Sequence, residues 1–303
     1  MKIRLQNRRG LNTKIDIVIV IYNPNEDLLS KCILSIFDTV RHIYIIDNSD
    51  INISLNIDYE NIKYIKLKEN MGISYAFNIG IKESIKNKSD YILLTDQDTV
   101  YPIKYIDNML KTFDNEENIC AVTPLFKDTN SAKKNEGFYK KSFLFAKRFF
   151  PIEGSFNVFH TISSGKIINT KYINDIGLMD EDLFIDWVDY EWCWRARKKG
   201  YKIIGNADVV IDHQLGDEST DVGFRVVNLR SPLRHYYITR NAFYLSIYNN
   251  SLNSINKVTL FFKSFRYIIG YPILSKPHLK HLKYVLLGFW HGMTGKLGKL
   301  NNK

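Results

Sequence analysis

The stretch Ile15-Asp-Ile-Val-Ile-Val-Ile-Tyr22 decides the fold, because it is an almost unbroken run of β-branched residues. Such a run is typical of a strand that is covered on both faces of a parallel sheet. Asn23-Pro-Asn-Glu26 ends the strand, and residues 27–40 then carry apolar side chains at helical spacing. The chain therefore opens with a predicted βα unit.

The same alternation continues along the chain. Further strands are predicted at residues 43–46, 62–67, 91–94, 119–123 and 201–211, and further helices at about 74–86, 103–113 and 180–199. Strands that alternate with helices predict an α/β sheet with helices on both faces. Residues 126–160 have no clear period, so loops or short strands are expected there. Ligands of such sheets bind beyond the carboxyl ends of the strands.

The composition is that of a globular protein. The 303 residues are 45% hydrophobic and 24% charged, which allows one large domain with a smaller appendage. The three cysteines follow neither a metal-binding nor a disulfide spacing. Because we find neither a signal peptide nor a run of apolar residues long enough to span a membrane, we expect a cytoplasmic protein.

The net charge of +10 comes from the end of the chain. No Asp or Glu follows Asp221, whereas 13 Lys and Arg lie between Arg225 and Lys303. Such a segment favours contact with phosphates or with an anionic membrane; a solvated tail is the alternative. Residues 279–290 have an amphipathic pattern. We expect a main domain over residues 1–240 and a basic, aromatic helical extension over 241–303.

Asp96-Gln97-Asp98 follows the predicted strand at 91–94. Residues i and i+2 of a strand point to the same side, and two carboxylates there repel each other unless a cation or a proton intervenes. Oxygen ligands of this kind suit Mg²⁺ or Mn²⁺ that also binds substrate phosphates. The motif is short, and a simple turn is the alternative, but its position after a buried strand favours a metal site.

Several short motifs together resemble a known family. They are Val20-Ile-Tyr-Asn-Pro24, Ile46-Asp-Asn-Ser49, Asn70-Met-Gly-Ile73, Leu94-Thr-Asp-Gln-Asp98, Ser163-Ser-Gly165, residues 184–192 and His213-Gln-Leu-Gly216. In this order the chain, from about Ile15 to Asn241, resembles the family-2 glycosyltransferases, within them a bacterial rhamnosyltransferase-like branch. The resemblance implies the GT-A fold, a Rossmann-like central mixed sheet flanked by helices, here with a basic helical extension at the C-terminus.

The resemblance also implies a nucleotide-sugar site. Its residues would be Tyr22, Asn23, Asp47, Asn70, Gly72, Asn78, Asp96, Gln97, Asp98 and Arg240. Asp47 would accept a hydrogen bond from a pyrimidine base, Asp96 would face the ribose, and Arg240 would reach a phosphate. Asp98, helped by Asp96 and by His213, would hold Mg²⁺ or Mn²⁺.

The acidic stretch around Asp189 would supply the catalytic base. Inverting transfer needs a group that takes the proton of the acceptor hydroxyl, and the family pattern assigns Asp189, with Asp186 and Glu191 as rivals. On the acceptor and sugar side the resemblance places Ser164, Gly165, Trp187 and Trp192. The alternative is a surface acidic helix with buried tryptophans.

The sequence therefore predicts an inverting, metal-dependent glycosyltransferase. The resemblance favours dTDP-L-rhamnose as donor and a saccharide or a polyprenyl-diphosphate-linked saccharide as acceptor, in bacterial capsule, O-antigen or cell-wall synthesis at the inner face of the membrane. UDP-glucose, UDP-galactofuranose and UDP-N-acetylglucosamine are alternative donors. A non-enzymatic nucleic-acid-binding protein is a distant alternative, because the usual nucleic-acid-binding signatures are missing from the sequence.

Overall fold

The computed structural model describes residues 13–51, 59–128, 136–213, 218–221 and 226–300. The strands are β1 (Ile15–Ile21), β2 (His42–Asp47), β3 (Ile62–Lys66), β4 (Tyr91–Asp96), β5 (Ile119–Asp128), β6 (Phe138–Ser142), β7 (Phe145–Phe149), β8 (Ser155–Asn157), β9 (Lys166–Asn169), β10 (Lys202–His213), β11 (Glu218–Asp221) and β12 (Val226–Leu229). The helices are α1 (Glu26–Ile36), α2 (Ile73–Lys86), α3 (Tyr105–Lys111), α4 (Ile173–Ile176), α5 (Val188–Lys198), α6 (Pro232–Tyr248), α7 (Ser254–Leu274) and α8 (His278–Thr294).

One mixed sheet organises the molecule. Its strand order is β3-β2-β1-β4-β9-β5-β10-β8, and β6–β7 and β11–β12 form separate two-stranded sheets. β1 pairs in parallel with β2 and β4, β9 runs antiparallel between β4 and β5, and β10 is parallel to β5. The carboxyl ends of β1, β2, β4, β5 and β10 therefore share one edge of the sheet. The predicted mixed α/β sheet is confirmed.

Both faces of β1 are buried, as its apolar run predicts. All seven of its residues are buried. Ile17 and Ile19 pack with α1 on one face, and Val18 and Val20 pack with Phe77 of α2 on the other. Alternate side chains of a strand point to opposite faces, so a strand that is apolar at almost every position needs helices on both sides.

Gly80 allows α2 to pack closely against the sheet, because it has no side chain at the contact. A Cβ atom at this position would lie 2.3 Å from a methyl group of Val18, closer than side chains tolerate. Val18 is itself fully buried and cannot move aside without disturbing its neighbours.

The C-terminal helices form one packed group. Helix α6 packs against both α7 and α8, which also contact each other. Gly288 and Gly292 let α8 approach closely, since Cβ atoms there would lie 2.6 Å from the carbonyl oxygen of Tyr236 and 2.5 Å from that of Arg240. Residues 240 and 241, between which the sequence predicts the domain boundary, both lie inside α6, which begins at Pro232.

The close contact at Gly80 can be tested by adding one methyl group. Gly80→Ala is expected to lower the free energy of unfolding by about 1–3 kcal/mol, the usual cost of overpacking a core. Gly270→Ala is the matched control, because Gly270 also lies in a helix but has open space around its Cβ position. It is expected to raise stability by up to about 1 kcal/mol through helix propensity. Urea denaturation measures both, and equal effects of the two substitutions would contradict the packing described.

Candidate active site

The ends of three neighbouring strands place the first group of site residues. In the sheet register Ile21 of β1 lies opposite Asp47 of β2, and Val20 lies opposite Asp96 of β4. The side chain of Gln97 bonds the backbone of Tyr22, with 2.8 Å from the Tyr22 amide to Oε1 and 3.4 Å from Nε2 to the Tyr22 carbonyl. Parallel pairing thus joins two predicted motifs that are far apart in sequence.

Asn23 lies at the same edge. Its backbone has a left-handed φ of 45°, and its amide donates to the hydroxyl of Ser49 at 2.8 Å. Tyr22 is 46% exposed, and its hydroxyl donates to Asp50 at 3.3 Å. The chain therefore turns away directly after β1 and leaves the Tyr22 ring open to a ligand.

The two carboxylates of the Asp-x-Asp motif differ in exposure. Asp96 ends β4 and is half-buried, whereas Asp98 is exposed. The next residue, Thr99, is buried, and its hydroxyl lies 3.0 Å from that of Ser164. This hydrogen bond fixes the turn that carries Asp98 to the predicted acceptor loop.

The donor set at this edge suits a hard divalent cation. Within the described part of the chain no group of three or more His, Cys, Asp and Glu is arranged to hold a metal by itself. Mg²⁺ and Mn²⁺ sites that complete their coordination with substrate phosphates need only one or two carboxylates, which Asp96 and Asp98 offer. The predicted third ligand, His213, ends β10 at the same sheet edge, and its side chain lies outside the described residues.

Asp189 lies in the first turn of α5 and keeps part of its side chain exposed. The hydroxyl of Ser163 donates a hydrogen bond to its carboxylate. Burial raises the pKa of Asp189; the charge of Lys166 and the Ser163 bond lower it in part, and the nearby Asp96 raises it again. The result is a largely enclosed carboxyl group with a raised pKa, on a residue that keeps part of its surface exposed.

Lys166, which is not among the predicted site residues, lies close enough to this carboxylate for its charge to lower the carboxyl pKa. The side chain is fully buried, and its Nζ lies 5.3 Å from the centre of the Trp192 ring. Within the described structure this Nζ has no hydrogen-bond partner. A buried ammonium group is costly unless negative charge or an aromatic face lies near, and Asp189 and Trp192 supply both. The only signal in the sequence is a lysine at the start of a short apolar strand.

The turn before α5 has a strained backbone. Phe184, Asp186 and Trp187 have φ values of 64°, 62° and 66°, in the left-handed region that such residues rarely adopt. Each costs on the order of 1–3 kcal/mol unless the surroundings hold it. Asn241 holds this turn, because its Nδ2 lies 2.8–3.0 Å from the carbonyl oxygens of residues 183, 185 and 186.

Arg240 and Asn241 together form a clamp on this turn. The buried position of Arg240 corrects its predicted contact with phosphate. Its side chain is fully buried. It donates to the carbonyl oxygens of Asp182, Leu183 and Gly298 at 3.2, 2.8 and 2.5 Å, and to Asn241 at 2.8 Å. The guanidinium therefore satisfies backbone groups inside the protein and does not face a ligand. The sequence shows that residue 240 is basic, but it does not show that the backbone at Asp182 and Gly298 encloses the side chain.

Two further predicted contacts are wrong because the side chains belong to the core. Asn78 is buried and exchanges hydrogen bonds of 2.9 Å with the backbone of Met179 instead of binding the nucleotide. Trp192 is buried, and its indole N–H donates to the Gly177 carbonyl at 3.0 Å. It packs below the site and does not flank a sugar.

The two rivals of Asp189 are held in ion pairs. Glu191 is buried and accepts from Arg195 one helical turn later, at 2.8 Å. Asp186 lies 3.2 Å from Arg234. Because Glu191 is buried in its ion pair, the structure corrects its candidacy as a base; the choice of Asp189 over Asp186 stays a prediction.

The carboxylate of Asp47 also has several partners within the protein. It is fully buried, accepts from the hydroxyl of Tyr64 and from the amide of Ser49 at 2.9 Å, and lies 3.1 Å from Lys66. These contacts hold the carboxylate at the end of β2, and its predicted hydrogen bond with a pyrimidine base stays a prediction. Its pKa is lowered, because these hydrogen bonds outweigh the effect of burial, which raises it.

Asn70 and Gly72 lie at the start of α2, on the same side. The side-chain oxygen of Asn70 accepts from the Gly72 amide at 3.0 Å. Gly72 has a φ of 89°, and a Cβ there would lie 2.6 Å from the carbonyl oxygen of Phe184. The glycine is therefore required by a contact within the protein; its role at a ribose or diphosphate stays a prediction.

The predicted acceptor residues are brought together around Asp189. Ser164 and Gly165 form the loop before β9, and the Gly165 carbonyl accepts from the hydroxyl of Tyr105. Trp187 is half-buried, and its indole N–H donates to the Ile238 carbonyl of α6 at 3.1 Å. Whether these residues contact a substrate stays a prediction.

An open hollow lies at the opposite edge of the sheet. It has a volume of about 590 Å³ and is lined by residues at the amino ends of β4 and β5, among them Tyr91, Asp114, Glu116 and Ile119. Ligands of such sheets bind at the carboxyl ends of the strands, so we place the site at Asp96 and Asp189.

Comparisons with known proteins identify the family of the chain. Residues 16–177 match the family described as Glycosyl transferase family 2. The chain is 31% identical over 295 residues to the dTDP-rhamnosyl transferase RfbF of Shigella flexneri, an alignment that covers 95% of this chain and 98% of that one.

Solved structures show the same fold. The crystal structure of GalNAc-T7 with UDP, GalNAc and Mn²⁺ matches 87% of this chain and 58% of that chain, with a TM-score of 0.57 and 16% identity. The mannosyltransferase PcManGT from Pyrobaculum calidifontis, in complex with GDP-Man and Mn²⁺, matches 93% of this chain and 88% of that chain, with a TM-score of 0.53 and 11% identity. At these identities the likeness is one of fold alone.

The clamp role of Arg240 makes a prediction about stability. Arg240→Met is expected to lower the free energy of unfolding by about 3 kcal/mol or more, because it leaves several buried carbonyl groups without a donor. Arg266→Met removes the same charge from an exposed position of α7 and is expected to change stability by less than about 0.5 kcal/mol. Denaturant unfolding of the two variants measures the difference. If Arg240→Met left stability unchanged but weakened nucleotide binding, the clamp role would be wrong and the predicted contact with phosphate would be supported.

Proposed function

The chain belongs to glycosyl transferase family 2, with the GT-A fold, and we propose that it transfers a sugar from a nucleoside diphosphate to an acceptor hydroxyl with inversion. The observation that carries the proposal is the partly exposed residue Asp189, whose carboxylate accepts a hydrogen bond from Ser163 and lies near the acidic end of β4. Membership of this family favours sugar transfer over the nucleic-acid-binding alternative.

The donor would lie beyond the ends of β1 and β4. We assign the exposed ring of Tyr22 and the turn at Gln97 to the nucleotide side. Asp98, with Asp96 and with His213, would hold Mg²⁺ or Mn²⁺, which when bound stabilises the negative charge that develops on the departing diphosphate. In support, both carboxylates lie where the strand ends and the Thr99–Ser164 hydrogen bond fixes the turn.

Asp189 would take the proton from the acceptor hydroxyl as that oxygen attacks the anomeric carbon. A general base works best when its pKa lies near the pH at which the enzyme operates, and the crowded surroundings of Asp189 move its pKa in that direction. Ser163 orients the carboxylate, and the Asn241 clamp holds the turn that presents it. The half-buried face of Trp187 offers an apolar surface to a sugar ring.

The proposal also extends to the identity of the donor and of the acceptor. We propose dTDP-L-rhamnose as donor because the chain shares 31% identity over nearly its whole length with a protein named dTDP-rhamnosyl transferase. We propose a saccharide on polyprenyl diphosphate as acceptor, and hence a place at the cytoplasmic face of the cell membrane. The basic, acid-free end of the chain supports this place, since it suits an anionic leaflet.

Nucleotide release from a panel of donors tests the function. Purified protein with Mg²⁺ or Mn²⁺ is expected to release dTDP from dTDP-L-rhamnose and to leave UDP-glucose, UDP-galactofuranose and UDP-N-acetylglucosamine largely intact. Asp189→Asn should lower kcat by about 10²–10⁴-fold while the donor Kd measured by calorimetry stays close to that of the wild type. Asp182→Asn, an exposed carboxylate of the same segment, is the control and should keep its activity. Loss of donor binding in Asp189→Asn would make Asp189 a binding residue.

The charge of Lys166 predicts a change in pH dependence. A general base is active when deprotonated, so activity is lost as the pH falls through its pKa. Lys166 lowers the pKa of Asp189, and Lys166→Met removes this charge at similar volume, so the acid limb of kcat should move to higher pH. Lys171→Met, at an exposed position on the same segment, should leave the limb in place. An unmoved limb in Lys166→Met would contradict the electrostatic link to the base.

A further inference from the structure

Helix α7 exposes one apolar stripe along its whole length. The exposed side chains follow each other at intervals of three or four residues, which places them on a single face of the helix. They are Ile255, Val258, Phe262, Phe265, Ile269 and Ile273, of which Phe265 also packs edge-on against Phe243 of α6. The side chain of Phe262, for example, is 68% exposed, so the stripe is open to solvent.

Helix α8 carries a similar stripe. Its members are Leu279, Leu282, Leu286 and Trp290, again at intervals of three or four residues. The buried residues of both helices, such as Leu260 of α7 and Gly288 of α8, lie on the sides that pack toward α6. Both stripes therefore face away from the body of the protein. We call this surface of α7 and α8 the outer face.

The tip of the β6–β7 hairpin adjoins the outer face. Phe143 and Leu144 at the tip are 78% and 57% exposed. Lys263 of α7 reaches the Leu144 carbonyl, with 3.5 Å between Nζ and oxygen, and β7 packs against α7. The hairpin also exposes Lys140, Lys141 and Lys147. Three elements thus contribute apolar side chains that are flanked by basic ones.

The charges around the outer face are of one sign. Exposed basic residues on or between the two helices are Lys263, Arg266, Lys276, Lys280 and Lys283. No Asp or Glu follows Asp221 in the chain, so no carboxylate of α7 or α8 offsets them. A second copy of the chain on this face would set positive charge against positive charge. An anionic lipid surface offers complementary charge together with an apolar layer for the stripes.

We propose that the outer face and the β6–β7 tip dock on an anionic lipid bilayer, with the apolar stripes in the layer between head groups and acyl chains. Of the helices that the structure describes, none combines the length and the apolar character needed to cross a bilayer. The contact is therefore a helical hairpin lying along the surface. This inference rests on the proposed function only in that a lipid-linked acceptor would lie in the same bilayer.

Co-sedimentation with vesicles tests the docking without any catalytic readout. The full chain is expected to bind vesicles of phosphatidylglycerol and phosphatidylcholine and to bind pure phosphatidylcholine at least about tenfold more weakly. Phe262→Ser combined with Trp290→Ser should weaken binding to the anionic vesicles by about tenfold or more. Leu34→Ser combined with Ile103→Ser removes two exposed apolar side chains far from the outer face and should leave binding unchanged.

A charge variant gives an independent measurement. Lys280→Gln combined with Lys283→Gln should weaken binding to anionic vesicles by about tenfold, whereas Lys31→Gln combined with Lys86→Gln, both exposed elsewhere, should not. Asp189→Asn should bind vesicles as the wild type does, so failure of the catalytic proposal and failure of the docking are distinguished. Unchanged binding in the Phe262/Trp290 variant would overturn the inference. So would a dimer, seen by sedimentation without vesicles, that this variant dissociates.

Discussion

Parallel pairing of β1 with β2 and β4 is the constraint on which the rest of the site depends. It aligns the carboxyl ends of three strands within one residue of register. The apolar run in β1 allows this only because helices cover both faces of the sheet. With that core in place, the residues after each strand meet at one edge. The turn at Gln97 can then bond the backbone of Tyr22, and Asp96 comes near enough to Asp189 to raise the pKa of that carboxyl.

The part of the site around Asp189 is held in position by the C-terminal helices. Asn241 and Arg240 of α6 hold the strained turn from which α5 starts, and Trp187 also bonds α6. The same helix supports α7 and α8, which carry the outer face. The extension is therefore part of the structure that presents Asp189, and not an independent appendage. Binding at the outer face and the geometry at Asp189 share one supporting helix.

Much of this arrangement could be predicted from the sequence, and the errors have a common cause. The β-branched runs predicted the strands because local patterns carry that information, and Asp96 and Asp98 lie at and just beyond the end of β4 as expected. Arg240 and Asn78 were misassigned because each points inward from a helix toward a partner far away in sequence, and Trp192 and Glu191 because their burial depends on how α5 packs. Lys166 and the clamp by Asn241 escaped notice for the same reason, since a buried polar side chain is recognised only by what surrounds it.

We propose that a divalent cation and the donor diphosphate bind at Asp98, across from Asp189. The most direct test is the anomalous scattering of Mn²⁺ in crystals of the protein grown with dTDP. We expect a manganese peak about 2.1 Å from a carboxylate oxygen of Asp98, with the diphosphate beyond the ends of β1 and β4. A manganese–nucleotide complex bound at the opposite edge of the sheet, or without contact to Asp98, would contradict it.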